Sequence, residues 1–218
     1  MIRWLYTLFF CSLTLTSNAQ LRRFFNNYEA DFAEAYSAHP EIPKGLLEAI
    51  AYSRSSFRFL DETELESCTG LPRSYGVFGL IEDGKGYFSN TLDLVSELSG
   101  YETEWIKNNP NIHIKAYADA LTSVPVDGWG NTAIAEALVH LSELPHETDA
   151  QTFALEIQVY EVLSLLNRRD FMSQLGYAIL EIDLEEIFGD NLEVLSSRKI
   201  LMDGEHIYNE SGESYRAG

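Results

Sequence analysis

The chain has 218 residues, 45% of them apolar, which is enough for one compact domain with a real core. Asp and Glu number 34 against 15 Lys and Arg, a formal charge of −19. That balance excludes nucleic acid as a partner, because no basic patch exists to displace phosphate counterions, and an acidic membrane surface would repel the chain. We read the acidity as solubility outside the cell.

The first 19 residues, MIRWLYTLFFCSLTLTSNA, combine one Arg, an apolar stretch and small residues at Ser17 and Ala19. This is the pattern of a secretory signal peptide cut before Gln20, and it places the mature chain in the periplasm or outside the cell. The apolar run from Trp4 to Leu15 is shorter than the roughly 20 residues that a membrane span needs. No small-residue lipobox precedes Cys11, which argues against lipidation. Once the signal is removed, Cys68 is the only cysteine, so no intrachain disulfide forms and packing alone must hold the fold. No Cys-His signature surrounds Cys68, so we read it as a structural thiol rather than a nucleophile.

Beyond the signal, LRRFFNNYEADFAEAYSAHP has apolar residues at helical spacing and ends at Pro40. PKGLLEAIAYSRSSF predicts a helix opened by Pro43, with Leu46, Leu47, Ile50 and Ala51 on its buried face. LDETELESCTGLPRSYG has no clean period and reads as a loop, and the Gly-punctuated YGVFGLIEDGKGYF as a turn or short extended piece. SNTLDLVSELSG predicts a short helix with an Asn/Thr cap, ending at Gly100. TEWIKNNP and NIHIKAYADALTSV are two helical pieces split by Pro110, and GNTAIAEALVHLSELP is amphipathic up to Pro145. The longest periodic run, residues 149–176, places Phe153, Leu155, Val159, Val162, Leu163 and Leu166 on its apolar side. After Gly176 the texture changes. YAILEIDLEEIFG is short and mixed. The last stretch alternates and holds turn signals at Met202-Asp203-Gly204 and Ser211-Gly212, which suggest a strand hairpin or linker. The expected organisation is a signal peptide (1–19), a helical domain (20–175) and a C-terminal appendage of a short helix and β structure (176–218). The fold class is mainly α.

Four motifs in order carry a resemblance. Ala49-Ile50-Ala51 is followed by Ser55 and Phe57, Gly76 is followed by Gly79 and Leu80, and then come NPNIHIKAYADAL and GNTAIAEALVHL. Residues about 38 to 145 thus resemble the lytic transglycosylase branch of the lysozyme-like superfamily. Over nearly the whole mature chain, IPKGLLEAIAYSRSSF, ESCTGLPRSYGVFGL, LVSELSG and LSELPHETDAQTFALEIQVYEVLSLLN look like a module found ahead of the zinc amidase domain in secreted N-acetylmuramoyl-L-alanine amidases of Bacteroidota-type bacteria. The resemblance implies a lysozyme-like helical fold, peptidoglycan fragments as ligand, and a zinc amidase domain or chain as partner. That zinc domain would normally follow the module, whereas this sequence ends at Gly218.

The chemistry departs from the resemblance at two positions. Where the family has its catalytic glutamate this chain has Arg54, and a guanidinium stays protonated and cannot act as the acid that cleaves a glycosidic bond. The family's cleft glutamine is replaced by Ile81. We therefore expect a module without catalytic residues, a pseudoenzyme. Arg54 is expected either to grip the carboxylate of a stem peptide or to pair internally with Asp61, Glu62, Glu64 or Glu66. Tyr52, Tyr75, Phe78, Tyr87 and Trp105 are candidate aromatic faces for sugars, and Ile81 is a further candidate cleft residue. A relocated acid would come from Glu64, Glu66 or Glu82, which makes an active glycan-cleaving enzyme the second reading. Glu48, six residues before Arg54, points about 240° away around the helix. A purely structural interaction unit is the third reading. Glu136 and His140 share a helical face near His146, but no complete ligand set is specified, so no metal or other cofactor is expected.

Overall fold

The computed structural model describes residues 24–63, 70–204 and 206–217. Residues 1–19, read above as a signal peptide, and Cys68, Glu64 and Glu66 lie outside them, and so do the readings that rest on these residues.

Helix α1 (Glu29–Ala38) buries Phe32, Ala35 and Tyr36, one stripe at spacings of three and four. It stops just ahead of Pro40, whose ring disfavours helical backbone before it. Helix α2 (Leu46–Ser55) starts three residues later than Pro43 suggested, because Gly45 has φ +91° and lies outside the helix. Side chains are excluded there twice over: a Cβ on Gly45 would also fall 2.5 Å from Met172 Cε. The first six residues of α2, from Leu46 to Ala51, are all buried. The helix ends in two consecutive left-handed residues, Ser56 and Phe57. Phe57 is fixed there by rings on three sides, Phe25, Phe32 and Tyr52, all within 6.2 Å.

Strands β1 (Arg73–Tyr75) and β2 (Leu80–Glu82) pair antiparallel, with Ser74 opposite Ile81. They are joined by the turn Gly76-Val77-Phe78-Gly79. Helix α3 (Thr91–Ser99) ends at left-handed Gly100, as its sequence suggests, but the Asn90 side chain does not cap it and bonds Asp93 instead. Helices α4 (Thr103–Asn108) and α5 (Pro110–Ser123) are divided as expected. Pro110 occupies the first turn of α5, and Asn109 caps it by accepting from Ile112 N. After α6 (Asn131–His140) comes the long α7 (Asp149–Asn167), opened by a capping box between Thr148 and Gln151. The periodic run does not continue unbroken to Gly176. Arg168 is extended, and a separate α8 (Arg169–Gln174) follows. At the break the Asn167 side chain donates to Ile182 O and accepts from Ile182 N, at 2.8 and 2.7 Å.

The C-terminal part holds α9 (Leu184–Phe188), a 3-10 turn, α10 (Leu192–Leu195) and the antiparallel hairpin β3 (Ile200–Asp203) and β4 (His206–Asn209). The fold is therefore mainly α with a small C-terminal β hairpin. Ile182, Phe188, Val194, Leu195, Ile207 and Tyr215 join the same hydrophobic cluster as the first helices. Among the described residues, no helix is long and apolar enough to cross a membrane.

Two of the buried ionisable groups, His113 and Glu48, are fully enclosed in this core. His113, on α5, is fully buried. Its Nδ1 contacts Ile106 O at 3.0 Å and its Nε2 accepts from Phe78 N at 3.2 Å, which assigns the proton to Nδ1. Burial holds its pKa down at about 4, and the bond to Ile106 opposes that only in part. Glu48, on α2, accepts from Tyr36 Oη at 2.6 Å and Tyr177 Oη at 3.1 Å. Burial pushes its carboxyl up to about 7 despite those bonds.

Gly76 meets the histidine ring directly. A Cβ there would fall 1.9 Å from His113 Cε1, at φ +66°. Gly76→Ala should therefore cost about 3 kcal/mol or more, read as a lowered urea midpoint. The pH profile provides a second check. The folded value of Glu48 lies above its ordinary 4.5, so its contribution is present below pH 4.5 and lost as pH rises toward 7. The folded value of His113 lies below its ordinary 6.5, so its contribution is present above pH 6.5 and lost as pH falls toward 4. The two slopes oppose each other in the overlap. Glu48→Gln removes the opposing carboxyl slope, so between pH 4.5 and 6.5 unfolding free energy in urea should climb by about 2 kcal/mol more than in the wild type. The wild type should change far less, and equal profiles would count against both assignments.

Candidate ligand cleft at Arg54

Arg54 stands in the last turn of α2, and its partner comes from a distant part of the chain. Its Nη1 donates to both oxygens of Glu143, at 2.7 and 2.8 Å. The two side chains are 14% and 17% exposed, so the pair is largely removed from water. None of the acids expected from sequence, Asp61 and Glu62 among the described residues, takes that place. Glu143 is held in turn. Gln158 Nε2, on α7, donates to its Oε1 at 2.8 Å, while Gln158 Oε1 accepts from Ser142 Oγ at 2.6 Å. The main chain is also fixed, since Ser89 N donates to Glu143 O at 2.8 Å.

These groups form one side of a small cleft of about 250 Å³. Ser74, Gly79 and Ile81 come from the β hairpin and its turn, and Ser53 and Glu161 close the α2–α7 side. Ser55 Oγ ties α2 to the turn by donating to Val77 O at 2.7 Å. The cleft thus places one guanidinium against two carboxylates, amid serine hydroxyls and a primary amide. Of the two expectations for Arg54, the structure displays the internal pair, with Glu143 in place of the acids expected from sequence. The lining offers alternating acceptors and donors, which suits uncharged hydroxyls.

The other candidates separate. Ile81 lines the cleft, and its N–H is spent on Thr91 Oγ1 at 2.9 Å. Phe78 is a core residue, contrary to its reading as a sugar platform. Its ring stacks on Tyr117 at 4.0 Å and on His113 at 5.4 Å. Tyr75 is also withdrawn, being buried with Lys107 Nζ 4.8 Å over its ring. Tyr87 and Trp105 are exposed but do not line the cleft. Glu82 pairs with Lys107 Nζ at 2.8 Å and is not a cleft acid. Glu136, His140 and His146 are exposed, and among the described residues no group of three or more His, Cys, Asp or Glu is placed to hold a metal ion. Sequence reasoning missed Glu143, Gln158 and Glu161. The helix expected to run to Pro145 ends at His140, so Glu143 falls in the loop beyond it, next to the buried Leu141 and Ser142.

Compared with protein-family models, curated proteins and solved structures, the chain matches none.

The pairing is testable by a double-mutant cycle. Arg54→Met and Glu143→Gln should each destabilise the chain, and the double variant should lose less than the sum. The expected coupling is about 1–3 kcal/mol, the range for contacting charged hydrogen-bond partners. Additivity within about 0.5 kcal/mol would show that the pair is not an energetic unit.

Proposed function

We propose that this chain is an exported, non-catalytic, lysozyme-like module that holds peptidoglycan fragments in the Arg54 cleft. It would act alongside an N-acetylmuramoyl-L-alanine amidase domain or chain. The motifs from Ala49 to Phe57 and from Gly76 to Leu80 support the family reading. The observation that carries the non-catalytic part is the Arg54–Glu143 pair. Where a glycan-cleaving enzyme needs a carboxylic acid that donates a proton, this cleft has a guanidinium, and both oxygens of the nearby carboxylate are occupied as acceptors. What remains is recognition by hydroxyls, carboxylates and an amide, the chemistry that suits a polyhydroxylated ligand better than an anionic one.

Purified sacculi test this reading. The chain should cosediment with them and release no soluble muropeptides. Ser74→Trp, which fills the cleft from the hairpin side, should reduce binding by at least tenfold. Release of muropeptides that is lost in Glu143→Gln would instead establish a relocated catalytic acid. Absence of cosedimentation would leave a purely structural role.

A further inference from the structure

The Arg54 cleft does not end at Ser53 and Glu161. Both residues also line a second, larger pocket of about 370 Å³ on the other side. They bridge the boundary through Ser53 Oγ, which donates to Glu161 Oε2 at 3.3 Å, a long and exposed bond. Beyond it lie Tyr52 of α2 and Tyr160 of α7, both half-buried. Each ring is set by the core behind it. Tyr52 leans on Phe171 at 5.2 Å, and Tyr160 meets Phe188 edge-on at 5.9 Å. Ser56 contributes from the left-handed turn that ends α2, and Arg168 from the break that ends α7. Ser164, also in the lining, has a hydroxyl with no hydrogen-bond partner among the described residues. A buried hydroxyl left so carries an unmet desolvation cost, and it makes this wall polar rather than aliphatic.

We infer that this Tyr52–Tyr160 pocket is a second saccharide subsite, continuous with the Arg54 cleft, so that one short glycan lies along α7 from Gln158 to Arg168. The helix from Gln158 to Asn167 and the extended Arg168 beyond it give that path a length of about 15 Å, room for linked sugar rings rather than one. The pocket's composition suits a sugar ring. Tyrosine provides a flat apolar body with a polar tip, the serines and Glu161 supply donors and acceptors for hydroxyls, and Arg168, which donates to Asp170 at 2.7 Å, borders them. Leu165 is the one aliphatic side chain in the lining, so a purely apolar ligand has little to match. The inference rests on the proposed saccharide function for its ligand class. The pocket itself stands on different residues from the cleft, apart from Ser53 and Glu161.

The test is an NMR titration of the isotope-labelled chain with N-acetylglucosamine oligomers of one, two and three rings. The trisaccharide should shift the amides of Ser56, Ser164 and Arg168 together with those of Gly79 and Ile81. Affinity should rise about tenfold from the disaccharide to the trisaccharide. Tyr160→Ala should erase that increment. Because Tyr160 also packs on Phe188, the exposed variant Arg168→Ala serves as a second check and should erase at least half of it while leaving the Gly79 shifts intact. Shifts confined to Gly79, Ile81 and Glu143, with no gain from the third ring, would overturn the second subsite and spare the proposed function. Shifts confined to the tyrosine pocket would overturn its continuity with the Arg54 cleft and that cleft's assignment. No shifts with any oligomer would overturn both.

Discussion

The fold depends on a neutral histidine ring in a space too tight for any side chain opposite it. His113 lies flat against Phe78, and the backbone of Gly76 passes where a Cβ would collide with the ring. The hydrogen bond from Phe78 N to Nε2 then fixes the turn relative to α5. Because the turn joins β1 to β2, this contact, together with Ser55 Oγ on Val77 O and Ile81 N on Thr91 Oγ1, sets where the hairpin sits against the helices. Ser74, Gly79 and Ile81 reach the cleft only because the turn is docked. A β hairpin of three-residue strands is too short to hold itself in water, so its geometry comes from the helix beneath it.

The Arg54–Glu143 pair shows how a cleft can keep its shape while changing its chemistry. The guanidinium is anchored by a helix and the carboxylate by a loop that six further elements separate from it, so the pair also closes a long-range contact. Buried pairs of this kind seldom add much net stability, since each charge loses its water. Their effect is directional: Arg54 is held by Glu143, which Gln158 holds in turn, so the guanidinium has one orientation and the cleft a fixed arrangement. The cleft is thus polar and preorganised, and it is more negative than positive in a chain already strongly acidic.

Much of the architecture was legible because periodicity reports burial directly. The stripe Leu155, Val159, Val162, Leu163 and Leu166 is the buried face of α7, and the Asp203–Gly204 signal falls at the hairpin turn. Boundaries were less legible where the cause lies elsewhere in the chain. Gly45 breaks the helix expected from Pro43 under Met172, and Asn167 turns its amide to Ile182 where the pattern alone continues the helix. The cleft was half legible. Arg54, Gly79 and Ile81 are local to the quoted motifs, but Glu143 and Gln158 reach Arg54 only through tertiary packing. Phe78 and Tyr75 misled for a related reason: an aromatic in a Gly-punctuated turn has the same sequence appearance whether its face is open or stacked. Glu48 was placed away from Arg54 by helical geometry alone, and its two tyrosine partners needed the fold.

The second of those partners has a consequence for the order of events during synthesis. Tyr36 lies close in sequence to Glu48, but Tyr177 is 129 residues downstream. Until that tyrosine has emerged, the first core helix can bury its carboxyl with only one hydroxyl to satisfy it. The N-terminal helices therefore have a reason to remain loosely packed while the chain grows. The last third of the polypeptide thus carries one of the two hydroxyls on which the buried carboxyl of α2 depends.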